Sequence, residues 1–130
     1  MRTNKNINKN SEEIEFFHWL DDILSKKLPS NIKAIAFNLY EDNDNKWSIE
    51  LVGTSIFDEN NSDWACSEVY TTRENPYFLV KESDWKTIEN LFTSFLQNYL
   101  NTGKYSNTLK KYCAIGIGFV DGDLSIIYKR

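Results

Sequence analysis

The sequence predicts an α+β domain with two helices packed on an antiparallel sheet of about five strands, in the order α-β-β-β-α-β-β. Three observations carry this. Two stretches place apolar residues at spacings of three and four, as amphipathic helices do. Several shorter runs are apolar or alternate with a period of two. An Asp-Gly pair sits between the last two of them, a strong hairpin signal. The chain has 130 residues, 41% of them hydrophobic and 15% aromatic. That is one domain with enough apolar mass for a core. The expected division is a flexible N-terminal segment over 1–10 and a single domain over 11–130.

The first helix is expected to start at Asn10 or Ser11, with Glu12, Glu13 and Glu15 near its positive end. Ile14, Phe17, Leu20, Leu24 and Leu28 form its apolar stripe, and Pro29 ends it. Ile32 to Tyr40 reads as a buried strand and Asp42 to Asn45 as a polar loop. A second strand runs from Lys46 to about Ile56, with Trp47, Ile49 and Leu51 on one face and Ser48, Glu50 and Val52 on the other. Trp64 to Thr72 reads as a third strand and Arg73 to Pro76 as a turn.

The second helix takes Ser83 or Asp84 as its cap. Its stripe is Trp85, Ile88, Leu91, Phe92, Phe95, Leu96, Tyr99 and Leu100, and Gly103 closes it. Lys104 to Lys111 is polar and basic. The chain ends in a hairpin with Asp121-Gly122 as a type I′ turn, Val120 opposite Asp123 and Ile117 opposite Ile126. One face, from Cys113 through Ile115, Ile117 and Phe119 to Leu124, Ile126 and Tyr128, belongs in the core. Gly116 and Gly118 make the other face smooth enough for a close backbone approach.

Fifteen basic and nineteen acidic side chains give a net charge of -4. That balance argues against a nucleic-acid surface, which needs clustered cations. The polar N-terminus is no signal peptide, and no run approaches the length of a membrane span. Cys66 and Cys113 are too few for a disulfide framework and are expected to be packed thiols in a cytoplasmic chain.

The chemistry-bearing patterns are thin. One histidine, His18, and two isolated cysteines make no zinc constellation. Asp42-Asn43-Asp44-Asn45-Lys46 opens like a calcium loop, but Trp47 stands where the glycine belongs. Gly116-Ile117-Gly118 lies in a strand leading to a hairpin, not a phosphate loop leading to a helix. Neither a cofactor nor a metal is expected. A small enzyme built on His18 with Cys66 or a carboxylate is the weakest alternative.

Charge is segregated instead. Between Glu41 and Glu68 there are eight acids and one base, Lys46, a local balance of -7. Tyr40, Trp47, Phe57, Trp64 and Tyr70 punctuate that stretch. One reading is solvated loops with aromatics in the core. The other is an acidic docking surface for a basic protein, with Asp42, Asp44, Asp58, Glu59, Asp63 and Glu68 as charged contacts and Trp64 and Tyr70 as anchors.

Asp63-Trp64-Ala65-Cys66-Ser67-Glu68, preceded by Ser55-Ile56-Phe57-Asp58, resembles the central stretch of small bacterial immunity proteins. These are encoded beside toxins of polymorphic and contact-dependent growth-inhibition systems. Ile117-Gly118-Phe119-Val120-Asp121-Gly122-Asp123-Leu124 is similar to segments of the same proteins. The likeness covers about half of the chain, in pieces, and assigns no subfamily. It implies a non-catalytic, cytoplasmic protein that binds its cognate toxin domain, often a nuclease, and occludes its active or essential surface. A general protein-binding adaptor or regulatory module is the alternative.

Overall fold

The computed structural model describes residues 11–130 in full and the backbone of 2–10, so the flexible segment expected over 1–10 lies outside the fully described residues. The class is α+β: a six-stranded sheet with its two long helices on one face. The elements in order are α1 (Arg2–Leu24), β1 (Ala34–Asn43), β2 (Lys46–Thr54), a 3-10 helix (Ser62–Cys66), β3 (Glu68–Thr71), β4 (Tyr77–Val80), α2 (Trp85–Thr102), α3 (Ser106–Leu109), β5 (Ala114–Phe119) and β6 (Ser125–Lys129).

The sheet runs β3-β2-β1-β5-β6, and β4 also pairs with β2. β3 lies against Val52–Thr54 and β4 against Lys46–Ile49, so the two share one edge of β2 end to end. The expected antiparallel sheet is mixed, because β1 and β5 are parallel, with Ile35 opposite Ile115 and Leu39 opposite Phe119. β1 and β5 are distant in sequence, and no local pattern marks their pairing.

The core lies between the helices and the odd-numbered side chains of β1 and β2. Phe37, Leu39, Trp47, Ile49 and Leu51 are buried there with Ile115, Ile117 and the α2 stripe from Ile88 to Leu100, Leu91 being only partly buried. Trp85, expected in that stripe, is exposed at the start of the helix. Phe16 is the hub, with its ring 5.5 Å from those of Trp19 and Tyr77, 5.6 Å from Phe92 and 5.8 Å from Phe95. The buried face of α1 is thus Phe16, Leu20, Ile23 and Leu24, while Ile14 is 47% exposed. The apolar arc of this helix is wide enough for two overlapping stripes, and tertiary packing selects the one through Phe16. α1 ends at Leu24, ahead of Pro29, and Glu12, Glu13 and Glu15 fall inside it rather than in its first turn.

α2 follows its local signals. Asp84 caps it by accepting the Thr87 amide proton at 2.8 Å. That bond holds the Asp84 carboxyl below its ordinary range. Gly103 closes the helix, and a Cβ there would stand 2.5 Å from the ring of Tyr99. Tyr99 is fully buried, donates to Asp21 Oδ1 at 2.6 Å and accepts from the Tyr105 amide at 3.1 Å. The polar stretch after α2 folds into α3, with Leu109 buried.

The last hairpin departs from the expected turn. Gly122 has no positive φ, and its amide closes a turn on the Phe119 carbonyl at 2.9 Å. Ile115 does face Tyr128, but a register shift then places Gly116 opposite Ile126 and Ile117 opposite Ser125. The cause is the chain's own return. The Asp123 carbonyl oxygen lies 2.3 Å from where a Gly118 Cβ would stand, and Leu124 packs over Gly116. The smooth face is therefore filled by the hairpin's own loop, and Leu124 packs on the side of the sheet away from the helices. Ile126 is 39% exposed rather than in the core.

Candidate functional site

The sheet face away from the helices carries the even-numbered side chains of β1 and β2, because cross-strand partners share a face. Ala34, Ala36 and Val52 form a small apolar floor there. Trp64, from the 3-10 helix, lies on that floor and is only 2% exposed. Its ring meets that of Phe57 edge to face at 5.2 Å. The segment expected to be a third strand from Trp64 onward is thus a capped 3-10 turn followed by a short strand. Asn61 accepts the Asp63 amide proton at 3.0 Å, which starts the turn. Trp64 is core, not an exposed anchor. Tyr70 is half-buried and packs against the main core.

This plug holds the acidic loop in place. Asp58 and Asp63 are exposed on it, and the Asp58 Oδ1 accepts the Asn60 amide proton at 2.9 Å. Glu59 pairs with Lys129 Nζ at 2.7 Å, which ties the loop to β6. Asp42 and Asp44 sit elsewhere, exposed at the β1–β2 hairpin tip, where Asn45 takes a positive φ of 62°. Eight residue steps along β2 separate the two acidic groups, about 26 Å. The acids of the segment therefore form two surfaces at opposite ends of β2.

Between them lies a buried ion-pair network centred on Glu50, one of the eight acids of the segment. Glu50 is 1% exposed. It accepts from Arg73 Nε at 3.0 Å, Arg73 Nη2 at 3.2 Å and Asn38 Nδ2 at 3.3 Å, and from the Tyr40 hydroxyl. Arg73 also reaches Glu68 at 2.9 Å. The two carboxylates hold the Arg73 guanidinium above its ordinary pKa. Glu68, expected as a partner contact, is engaged within the fold. Burial, with the Glu50 carboxylate as a further cause, pushes Tyr40 up to about 12. A phenol with a raised folded-state value stabilises the fold fully below its unfolded pKa of about 10 and less as pH rises toward 12. Ultraviolet titration is expected to lose the Tyr40 late phase in Tyr40→Phe, and stability of that variant should fall less between pH 10 and 12.

A cleft of about 720 Å³ opens beside this network. Its lining includes Tyr40 and Glu41 of β1, Trp85 and Glu89 of α2, Phe119 of β5, and Asp121 and Asp123 of the last hairpin. His18 is exposed on α1 and does not line the cleft. Cys66 and Cys113 are exposed, against the expectation of packed thiols. Cys66 ends the 3-10 turn two residues beyond the Trp64 plug, and Cys113 immediately precedes β5. Among the described residues, no group of His, Cys, Asp and Glu is placed to hold a metal ion, and no helix is long and apolar enough to cross a membrane.

Compared with known proteins, the chain matches no family model, no curated protein and no solved structure.

Proposed function

We propose that this chain is an immunity protein that binds a cognate bacterial toxin domain through its acidic surface and occludes that domain's active or essential face. The observation that carries the reading is the loop pinned by Trp64. A buried tryptophan holds a short turn that presents Asp58 and Asp63 to solvent on a fixed scaffold. A surface ordered before encounter loses less entropy on binding. Its negative charge steers a basic partner and selects against acidic ones. A nuclease that holds phosphates is a partner of that chemistry, since carboxylates occupy the same cationic surface. The motif resemblance in Asp63 to Glu68 falls on this turn. The chain would act in the cytoplasm, where the toxin arrives.

The test is co-expression with the toxin domain encoded beside its gene. Growth in the presence of the toxin and co-purification of the pair are the expected results. Continued killing, with no association at micromolar concentrations, overturns the reading. An adaptor without a toxin partner would give neither growth nor co-purification.

A further inference from the structure

We infer that the cleft between the N-terminal turn of α2 and the last hairpin seats an arginine side chain from a basic segment of the partner protein. The partner's identity rests on the reading above; the chemistry of the cleft does not.

The walls are aromatic and acidic at once. Trp85 is 55% exposed, unusual for so large an apolar side chain in a domain this size. Its ring and that of Phe119 are perpendicular, with centroids 6.1 Å apart and planes at 89°, so the two rings do not stack in parallel. A cation already uses it: Lys86 Nζ lies 5.7 Å from the ring centre. That lysine is neutralised by Glu89 at 3.1 Å. Glu41, Asp121 and Asp123 line the same space and join no ion pair among the described residues. The cleft thus has a balance of -3: four carboxylates, Glu41, Glu89, Asp121 and Asp123, against Lys86.

Charge complementarity selects a cation, and the aromatic wall selects among cations. A guanidinium is planar, stacks on indole, and forks onto carboxylates with two parallel bonds. An ammonium offers a point charge with a tighter hydration shell. Asp42 and Asp44, adjoining Glu41 at the hairpin tip, extend the same negative field outward. This end of the sheet is then a second contact, separate from the loop pinned by Trp64.

The experiment has two arms. In the first, a short capped peptide of alternating glycine and arginine is titrated into the whole chain, with the indole N–H of Trp85 followed by NMR and assigned through Trp85→Phe. The same peptide with citrulline for arginine keeps the shape and removes the charge. Saturable movement of the Trp85 signal is expected, weakened about tenfold or more by citrulline and by the combined Glu41→Gln, Asp121→Asn and Asp123→Asn variant. These three positions are exposed, and an unchanged melting temperature shows that the fold is kept. A Trp85 signal unmoved at millimolar peptide, or equal binding of the citrulline peptide or by the neutralised variant, overturns the inference.

In the second arm, the neutralised variant is titrated with the toxin domain encoded beside the gene. A rise in Kd of about tenfold or more is expected. An unchanged Kd overturns the cleft as a toxin contact and leaves the immunity reading standing. A peptide-binding cleft in a chain that ignores the toxin overturns the immunity reading instead.

Discussion

Trp64→Ala is expected to lower stability by about 3–5 kcal/mol, the range for deleting a fully buried large aromatic side chain. Trp64 has little chance of being replaced by relaxation of its surroundings. Its floor is Ala34, Ala36 and Val52, whose short side chains cannot swing into the space, and strands β1 and β2 beneath it are held by a nine-pair ladder. Phe57 loses its edge-to-face partner at the same time. The second consequence is local. Without the plug, the turn from Ser62 to Cys66 keeps its Asn61 cap and the backbone bonds of the Trp64 and Ser67 amides, and the loop before it keeps the bonds to Asp58 and the Glu59–Lys129 pair. An exposed ion pair contributes little. Urea unfolding measures the first effect, and hydrogen exchange at the Asp63, Trp64 and Ser67 amides measures the second. A loss under about 1 kcal/mol, with unchanged exchange, would mean that the loop is held by something other than Trp64.

The second large effect belongs to Arg73. Arg73→Met removes the charged partner of a carboxylate that is almost fully buried. Breaking a buried pair from one side costs about 3–5 kcal/mol, because an uncompensated charge is left behind. Arg73 itself is 51% exposed, so water can follow it in, and Asn38 and Tyr40 still donate to Glu50. About 2–3 kcal/mol is the expected cost after that discount. Adding Glu50→Gln should recover part of it, since the amide needs no counter-charge and still accepts from Tyr40. The double variant is therefore expected to be more stable than Arg73→Met alone, a non-additivity that chemical denaturation reads directly. A single-variant loss that Glu50→Gln only deepens would place the cost in Arg73's packing and not in the buried charge.

The parts of this fold that were legible in the sequence are those with local causes. The cap at Asp84, the stripe from Ile88 to Leu100 and the closing Gly103 all lie within one helix, and each was readable by spacing. The β1–β2 hairpin follows from two apolar runs around a polar tip. The parallel pairing of β1 with β5 and the short strand β4 depend on distant partners. Tyr77 is buried because Phe16 and Phe92 meet it, and nothing within Tyr77–Val80 announces that.

The site shows the same division. Charge counting found the acids between Glu41 and Glu68, but a linear sum cannot separate the hairpin tip from the far loop, or a buried carboxylate from an exposed one. Glu50 belongs to the fold, Glu68 is tied to Arg73, and Asp58 and Asp63 remain on open surface. Trp64, named as a candidate anchor, is buried beneath the loop. The cleft acids Asp121 and Asp123 flank a turn, where Asp suits the backbone, so sequence gave no reason to set them apart.

The proposed function requires that the loop pinned by Trp64 dock a basic toxin. Its most direct test is the association rate with the toxin domain that the proposed function expects to be encoded beside the gene, measured by stopped-flow across a range of salt. The chain is compared with an Asp58→Lys, Glu59→Lys, Asp63→Lys variant whose fold is checked by circular dichroism. Electrostatic steering predicts fast association that slows as salt is added, and a variant that associates more slowly with a flatter salt dependence. Identical rates and identical salt slopes for the two proteins would contradict it.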